Sequence, residues 1–328
     1  MKTKIVYVLV SQEDDSYYEM LLLSHHSLRL YHPKEDAAVF IIMDQDTYGR
    51  LKGIKASILD DSIPIVVNIP EEYSVMQRSR FLKTNLRSFI KGDFLYIDTD
   101  TIICDRLDEI DNVQADIAMV ADLNAPFPLT DPNTLRKCVE AGFQGMEGQP
   151  YFNSGVMLVR DGDTSRQLFR QWHTLWLESL ARGVPNDQPA LGEVNHRMGY
   201  PIHELPGEWN CQFKYSSGLR YLKKAKILHS FSPLSPNSRS FFETELLSRI
   251  KQSGAIDKTE ESIISGTPKN IATFFGQTSD KGLQFLGSDM FRVFIEDASI
   301  FRLSSLVAVF IMNWKHFLFQ RYHANKDK

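Results

Sequence analysis

A chain of 328 residues with 43% hydrophobic and 24% charged residues has ordinary globular composition, enough for one large buried core and an appendage. Its formal net charge of -4 excludes an electrostatic case for nucleic acid as the main partner, because phosphate-backbone binders carry a basic excess. Three cysteines, Cys104, Cys138 and Cys211, lack metal-finger and paired-disulfide spacing and read as reduced thiols of a cytosolic protein.

Met1-Lys2-Thr3-Lys4 before an apolar run imitates a signal peptide, but Gln12-Glu13-Asp14-Asp15 ends the run too early, so Ile5 to Val10 is expected as a first strand. Tyr17 to Leu30 has apolar residues at helical spacing. Ala37 to Met43 and Ile63 to Val67 are expected as strands, with a polar amphipathic segment from Asp46 to Ile58 between them. This alternation predicts an α/β fold. Gln77 to Ile90 predicts one helix carrying Phe81, Leu82, Leu86, Phe89 and Ile90 on one side. It leads into Phe94-Leu95-Tyr96-Ile97-Asp98-Thr99-Asp100, a buried central strand ending in two carboxylates. Side chains at i and i+2 point the same way along a strand, so Asp98 and Asp100 can converge on one hard cation that grips a diphosphate. Taken alone, such a pair more often marks two solvated turn carboxylates than a metal site.

Thr101 to Cys104 is expected as a return strand and Ala115 to Val120 as another. Asn124 to Gln149, rich in Pro, Gly and Asn, predicts a long substrate-covering loop with a short helix near Pro132 to Ala141. In Tyr151 to Val159 the polar Asn153-Ser154-Gly155 reads as a turn entering an apolar strand, followed by a helix from Asp163 to Leu180. Val184 to Leu191 predicts a loop and helix start, with Asp187 either capping the helix or facing a ligand. Lys226 to His229 is a last short strand ending in a histidine, and the Ser/Pro-rich Ser230 to Ser240 marks the end of the α/β unit. From Ala255 short helical patterns alternate with Gly breaks. The apolar run Leu306 to Met312 is shorter than the ~18 to 20 residues that span a bilayer. Trp314, Phe317, Phe319 and Tyr322 interleave with basic residues, which suits either an interfacial helix on an anionic membrane surface or a terminal helix packed on the core or a partner.

Five features in this order, Arg80, the Phe94 to Asp100 strand, Tyr151-Phe152-Asn153-Ser154-Gly155-Val156, Asn186-Asp187-Gln188 and His229, resemble the retaining glycosyltransferases of family 8 over roughly Lys4 to Ser230. The resemblance implies a GT-A fold, a Rossmann-like mixed sheet with flanking helices, over 1–250, and the pattern of the tail predicts a mainly helical C-terminal extension over 251–328 that associates with a membrane or a partner. The resemblance implies a hexosyltransferase that moves a hexose from UDP-galactose or UDP-glucose to a hydroxyl of a glycan or lipid-linked glycan with retention, while the cysteines and the tail place it in the cytoplasm or peripherally on the inner membrane face. Asp98, Asp100 and His229 would hold Mn2+ or Mg2+, a donor set that suits manganese better than zinc. Val10, Ser11, Asp14 and Tyr17 would bind uracil and ribose, with Thr99 beside the diphosphate. Asn153 and Ser154 would meet the sugar. Arg80 would hold sugar and phosphate oxygens, with Arg78 as a rival, and Asp187 and Gln188 would line the reacting face.

One departure stands out. The family follows its ligand histidine with Gly and a Lys-Pro-Trp segment whose Lys reaches the diphosphate, whereas here the chain reads His229-Ser230-Phe231-Ser232-Pro233-Leu234. Arg220, Lys223 or Lys224 could substitute. Trp209-Asn210 fits the family's aromatic-Asn segment or a packing pair. The alternative function is a nucleotide-sugar-binding or scaffold protein with the same fold. A nucleotidyltransferase or phosphohydrolase is disfavoured because no Gly-rich phosphate loop follows the first strand.

Overall fold

Lys-Ile-Val-Tyr-Val-Leu is β-branched or apolar on both of its faces, and all of Ile5 to Leu9 is buried, as a strand covered by helices on both sides requires. This is β1 (Lys4–Leu9), the centre of the sheet. The computed structural model describes residues 1–13, 15–125, 131–213, 216–229 and 244–265. After β1 come α1 (Tyr17–Tyr31), β2 (Val39–Asp44), α2 (Gln45–Arg50), a 3-10 turn (Gly53–Asp61), β3 (Ile63–Val67), α3 (Val75–Thr84), α4 (Leu86–Phe89), β4 (Phe94–Ile97) and β5 (Thr101–Ile103). β6 (Ile117–Ala121), α5 (Pro132–Glu140), β7 (Phe152–Val159), α6 (Asp163–Ala181), α7 (Gln188–Arg197), β8 (Ile202–Glu204), β9 (Ile227–His229), α8 (Thr244–Ser253) and α9 (Lys258–Ser265) complete the order.

Seven strands form one mixed sheet in the order β3-β2-β1-β4-β7-β6-β8, with β7 antiparallel to both of its neighbours and every other pairing parallel. The chain leaves β1 toward β2 and β3, then returns to place β4 on the opposite side of β1. The order therefore reverses between β1 and β4, and in such sheets ligands bind in the crevice outside the carboxyl ends of the strands at that point. On one face Leu82, Leu86, Trp172, Trp176, Leu191 and Val194 of α3, α4, α6 and α7 bury Val6, Val8, Phe94 and Tyr96. On the other, Tyr18, Leu21 and Leu28 of α1 cover Ile5, Tyr7, Leu9 and Ile41. A third cluster joins Met20 and Leu23 of α1 to Ile102, Leu228 and to Leu246, Leu247 and Ile250 of α8.

Three expectations change. The helix expected over Gln77 to Ile90 breaks at Asn85, whose backbone leaves helical geometry (φ -106, ψ 8) while its amide donates to the Phe81 carbonyl at 3.0 Å. β5 does not return alongside β4. It pairs antiparallel with β9 in a separate two-stranded ribbon, with Thr101 opposite His229. Asn153-Ser154-Gly155 is not a turn: it lies inside β7, where the register against β6 shifts between Met119 and Val120. Asn153 pairs with Val120 and Met157 with Met119, so Ser154, Gly155 and Val156 are the extra length of that irregularity. Ser230 to Ser240 and the apolar and basic tail over 291–328 lie outside the described residues, and among the described residues no helix is long and apolar enough to cross a membrane.

Helix α1 also carries a pH-dependent element. His25 is buried, with Nε2 3.5 Å from Asp61 Oδ2, and Asp61 is held by Arg29 Nε at 2.5 Å. Burial, reinforced by the Arg29 charge, pushes the imidazole down to about 4 from 6.5. The folded chain thus keeps His25 neutral where the unfolded chain protonates it. This part of the stability is complete above pH 6.5 and is lost as pH falls toward 4, amounting in full to about 3 kcal/mol. Between pH 7 and 4.5 the wild type should lose roughly 2 to 3 kcal/mol more than His25→Gln in urea unfolding. Parallel pH profiles would rule this out.

Candidate functional site

At the carboxyl ends of β1 and β4 lies a cleft of about 410 Å3. Val10, Gln12, Asp15 and Tyr17 from the end of β1 and the start of α1 form one wall, Met76, Ser79 and Arg80 of α3 another, and Tyr96, Asp98, Thr99 and Asp100 the floor. Of the residues expected from sequence, Val10, Tyr17, Arg80, Asp98, Thr99 and Asp100 meet here. Burial raises the Tyr17 hydroxyl above its ordinary range, so it remains a neutral donor.

Asp98 and Asp100 follow β4 directly, and the Asp98 amide donates to the Gly155 carbonyl of β7 at 2.8 Å. The β5–β9 pairing then brings in the third residue from far along the chain. His229 Nε2 lies 3.3 Å from Asp100 Oδ1 and 4.0 Å from Asp98 Oδ2, and one ligand atom from each of the three residues falls within 4.8 Å of the others. Two carboxylates and one imidazole in that span fit a hard divalent cation. The imidazole is oriented from behind. Asn210 Oδ1 accepts from Nδ1 at 3.0 Å, Asn210 Nδ2 donates to Asn153 Oδ1 at 2.9 Å, and Asn153 Nδ2 donates to Asp122 at 3.1 Å. This chain fixes Nε2 toward the carboxylates, the outer-shell arrangement that histidine ligands require. Although burial disfavours the imidazolium, Asp100 and Asp98 outweigh it and hold the His229 pKa above its ordinary value. The same contact, against the cost of burial, keeps the Asp100 carboxyl below its ordinary range.

Sequence reasoning missed Lys83. It is buried on α3 with Nζ 3.0 and 3.2 Å from the Asp98 oxygens and 5.0 Å over the Tyr96 ring. The Tyr96 hydroxyl donates to Asp98 Oδ1, and burial followed by the Asp98 charge pushes its pKa well above 10. Asp98 therefore has a fixed cation and a fixed donor on the side facing α3. The available signal was helical spacing, since Lys83 is i+3 from Arg80 and interrupts the apolar side of α3. Of the lysine substitutes expected after β8, Arg220 donates to the Asn124 carbonyl at 3.1 Å, and none of the three lines the cleft.

Arg80 and not Arg78 faces the cleft, because Arg78 is held at 2.8 and 2.9 Å by Asp44 and Asp46. Arg80 Nε pairs with Asp187 Oδ1 at 2.9 Å, and this charge partner outweighs burial to keep the guanidinium ionised. Asp187 thus joins α3 to the start of α7 and makes no side-chain cap of that helix. Its position is set by Trp172 and Trp176, whose indoles donate to the carbonyls of Asp187 and Pro185 at 2.9 and 3.0 Å. Ser154 Oγ donates to Asp187 Oδ2 at 3.3 Å, and Gln188 hydrogen-bonds Asp122, whose pKa burial raises. Asn153 and Ser154 are buried in β7 behind the metal corner, so their contacts are with Asp122, Asn210 and Asp187. Ser11 is turned away. Its hydroxyl donates to Asp15 at 2.8 Å, and it lines a neighbouring cleft of about 370 Å3 with Arg50, Lys52 and Lys55. Asp14 lies outside the described residues.

No protein-family model and no curated protein matches the chain. Among solved structures, mouse xyloside xylosyltransferase 1 in its apo form is 14% identical over 70% of this chain and 97% of its own, with a TM-score of 0.47. The apo glycosyltransferase GlyE of Streptococcus pneumoniae TIGR4 is 15% identical over 83% of this chain and 64% of its own, with a TM-score of 0.49. The bifunctional glycosyltransferase WbbM is 15% identical over 80% of this chain, which spans about half (51%) of WbbM, with a TM-score of 0.49.

Proposed function

We propose that this chain is a divalent-cation-dependent glycosyltransferase that moves a hexose from a UDP-sugar, UDP-galactose or UDP-glucose, to a hydroxyl of a carbohydrate acceptor with retention. The observation that carries the reading is the Asp98, Asp100 and His229 donor set, whose two carboxylates floor a cleft at the strand-order reversal. These three residues would hold Mn2+ or Mg2+, which supplies positive charge beside a departing diphosphate. Lys83 keeps Asp98 in place and adds a buried cation to the same corner. On the adjoining wall the ionised Arg80 offers a planar fork to phosphate or sugar oxygens while Asp187 anchors it. Val10 and Tyr17 give an apolar and aromatic seat for a base at the far end of the cleft.

Retention is taken from the family resemblance, and the remaining groups bear only on its route. Asp98 and Asp100 are committed to the cation corner, Asp187 is paired with Arg80, and Gln188 is a poor nucleophile, so a covalent sugar intermediate has no unengaged carboxylate among these residues. The acceptor hydroxyl then attacks on the face that the diphosphate leaves, and a leaving phosphate oxygen takes its proton. The absence of a Lys-Pro-Trp segment after His229 favours, as a second reading, a nucleotide-sugar-binding protein without turnover. Incubation with a UDP-sugar panel and Mn2+ separates the two. UDP release that EDTA stops supports the transferase, tight binding without release supports the second reading, and no binding of any UDP-sugar overturns both.

A further inference from the structure

The loop between β1 and α1 shapes one wall of the cleft, and most of its restraints come from a single carboxylate. Asp15 Oδ1 accepts from Ser11 Oγ at 2.8 Å and from the Tyr17 amide at 3.1 Å, while Oδ2 accepts from the Gln12 amide at 2.6 Å. The Ser11 amide donates to Thr47 Oγ1 at 3.1 Å, and a further restraint comes from more than two hundred residues away. Lys251 near the end of α8 donates from Nζ to the Glu13 carbonyl at 2.5 Å and to the Asp15 carbonyl at 2.9 Å. An ammonium group has three donors, and two of them bind this one loop.

The apolar side of the same helix lies beneath the other half of the site. Leu246, Leu247 and Ile250 are buried with Ile102 and Leu228. Those two residues are cross-strand partners in the β5–β9 ribbon, one position beyond Thr101 and His229. Helix α8 therefore shares a buried cluster with the ribbon that carries His229 and reaches the β1–α1 loop through Lys251.

We propose that α8 is a structural part of the donor site and that Lys251 is a positioning residue, holding Ser11, Gln12, Glu13 and Asp15 in the shape that receives the nucleotide. Lys251 acts on the ligand through the Glu13 and Asp15 carbonyls. The ligand half of this inference rests on the function proposed above. The restraint of the loop does not.

The test uses the full chain and three variants, Lys251→Met, Lys251→Arg and Lys251→Ala. Amide hydrogen exchange over 11–15 is measured without ligand, and UDP affinity is measured with Mn2+. If loss of the ammonium leaves the loop correctly shaped in about a tenth of molecules, the apparent UDP Kd rises about 10-fold. Exchange over 11–15 should rise in Met and Ala, and Arg should restore both readouts. Donor KM should rise with Kd, while kcat at saturating donor stays within about twofold, a split that general destabilisation of α8 would not give. Unchanged exchange in Lys251→Met overturns the proposal, as does unchanged UDP affinity with faster exchange. If the wild type binds no UDP while exchange still rises in Lys251→Met, the loop restraint stands and the transferase reading fails.

Discussion

Asp100→Asn should lower Mn2+ affinity by on the order of 100-fold or more and remove cation-dependent turnover, while the fold survives. Removing outer-shell partners of a metal ligand already costs about 10- to 100-fold, and Asp100 is a ligand candidate itself. Its oxygen is 3.3 Å from His229 Nε2, so the amide would also deprive the imidazole of its main charge partner. Asp100 is only partly buried and follows β4 in a short connection, so no core contact is removed. Calorimetric titration with Mn2+ and a urea melt check the two halves. Wild-type affinity in Asp100→Asn would remove Asp100 from the site.

Gly155→Ala should place a methyl directly against the groups that orient His229. A Cβ at this position would stand 2.3 Å from His229 Cε1, 2.7 Å from His229 Nδ1 and 2.9 Å from Asn153 Oδ1. None of these atoms is the loose end of a flexible chain, because His229 is held by Asn210 and Asp100, and Asn153 by Gly155, Asn210 and Asp122. Overpacking of this kind costs about 1 to 3 kcal/mol. More telling is where the displacement goes, since both neighbours belong to the chain that aims Nε2. Mn2+ affinity should fall by about 10- to 100-fold, the loss expected of a disturbed outer shell. A variant with wild-type Mn2+ affinity and stability would show that His229 does not need its present orientation.

The metal corner was legible in the sequence because each member sits at the end of a strand. Asp98 and Asp100 close an unbroken apolar run, which pattern places where open α/β sheets gather their ligands, whereas His229 joined them through the family resemblance and its place at the end of a shorter run. What escaped depends on contacts between distant elements. The irregularity in β7 exists only relative to β6, and Asn153-Ser154-Gly155 read on its own has the residue types of a turn. Helical spacing could put Lys83 beside Arg80, but not show that α3 lies over β4 with its ammonium on Asp98. Asp187 was left between a helix cap and a ligand contact, and the Arg80 pair is what decides its direction. The grip of Lys251 on the β1–α1 loop joins elements at opposite ends of the described chain, beyond the reach of any local pattern.

The pairing of β5 with β9 also bears on how the protein reaches its native state. Thr101 and His229 face each other across that two-stranded ribbon, so the carboxylates and the imidazole meet only after the chain has closed a segment of about 130 residues. Contacts of such sequence separation form late, because loop-closure entropy must be overcome before they contribute any stabilising energy. A cation that needs all three groups can bind only a chain in which β9 has docked on β5. During refolding, Mn2+ uptake would therefore trail the burial of the central strands and report completion of the fold.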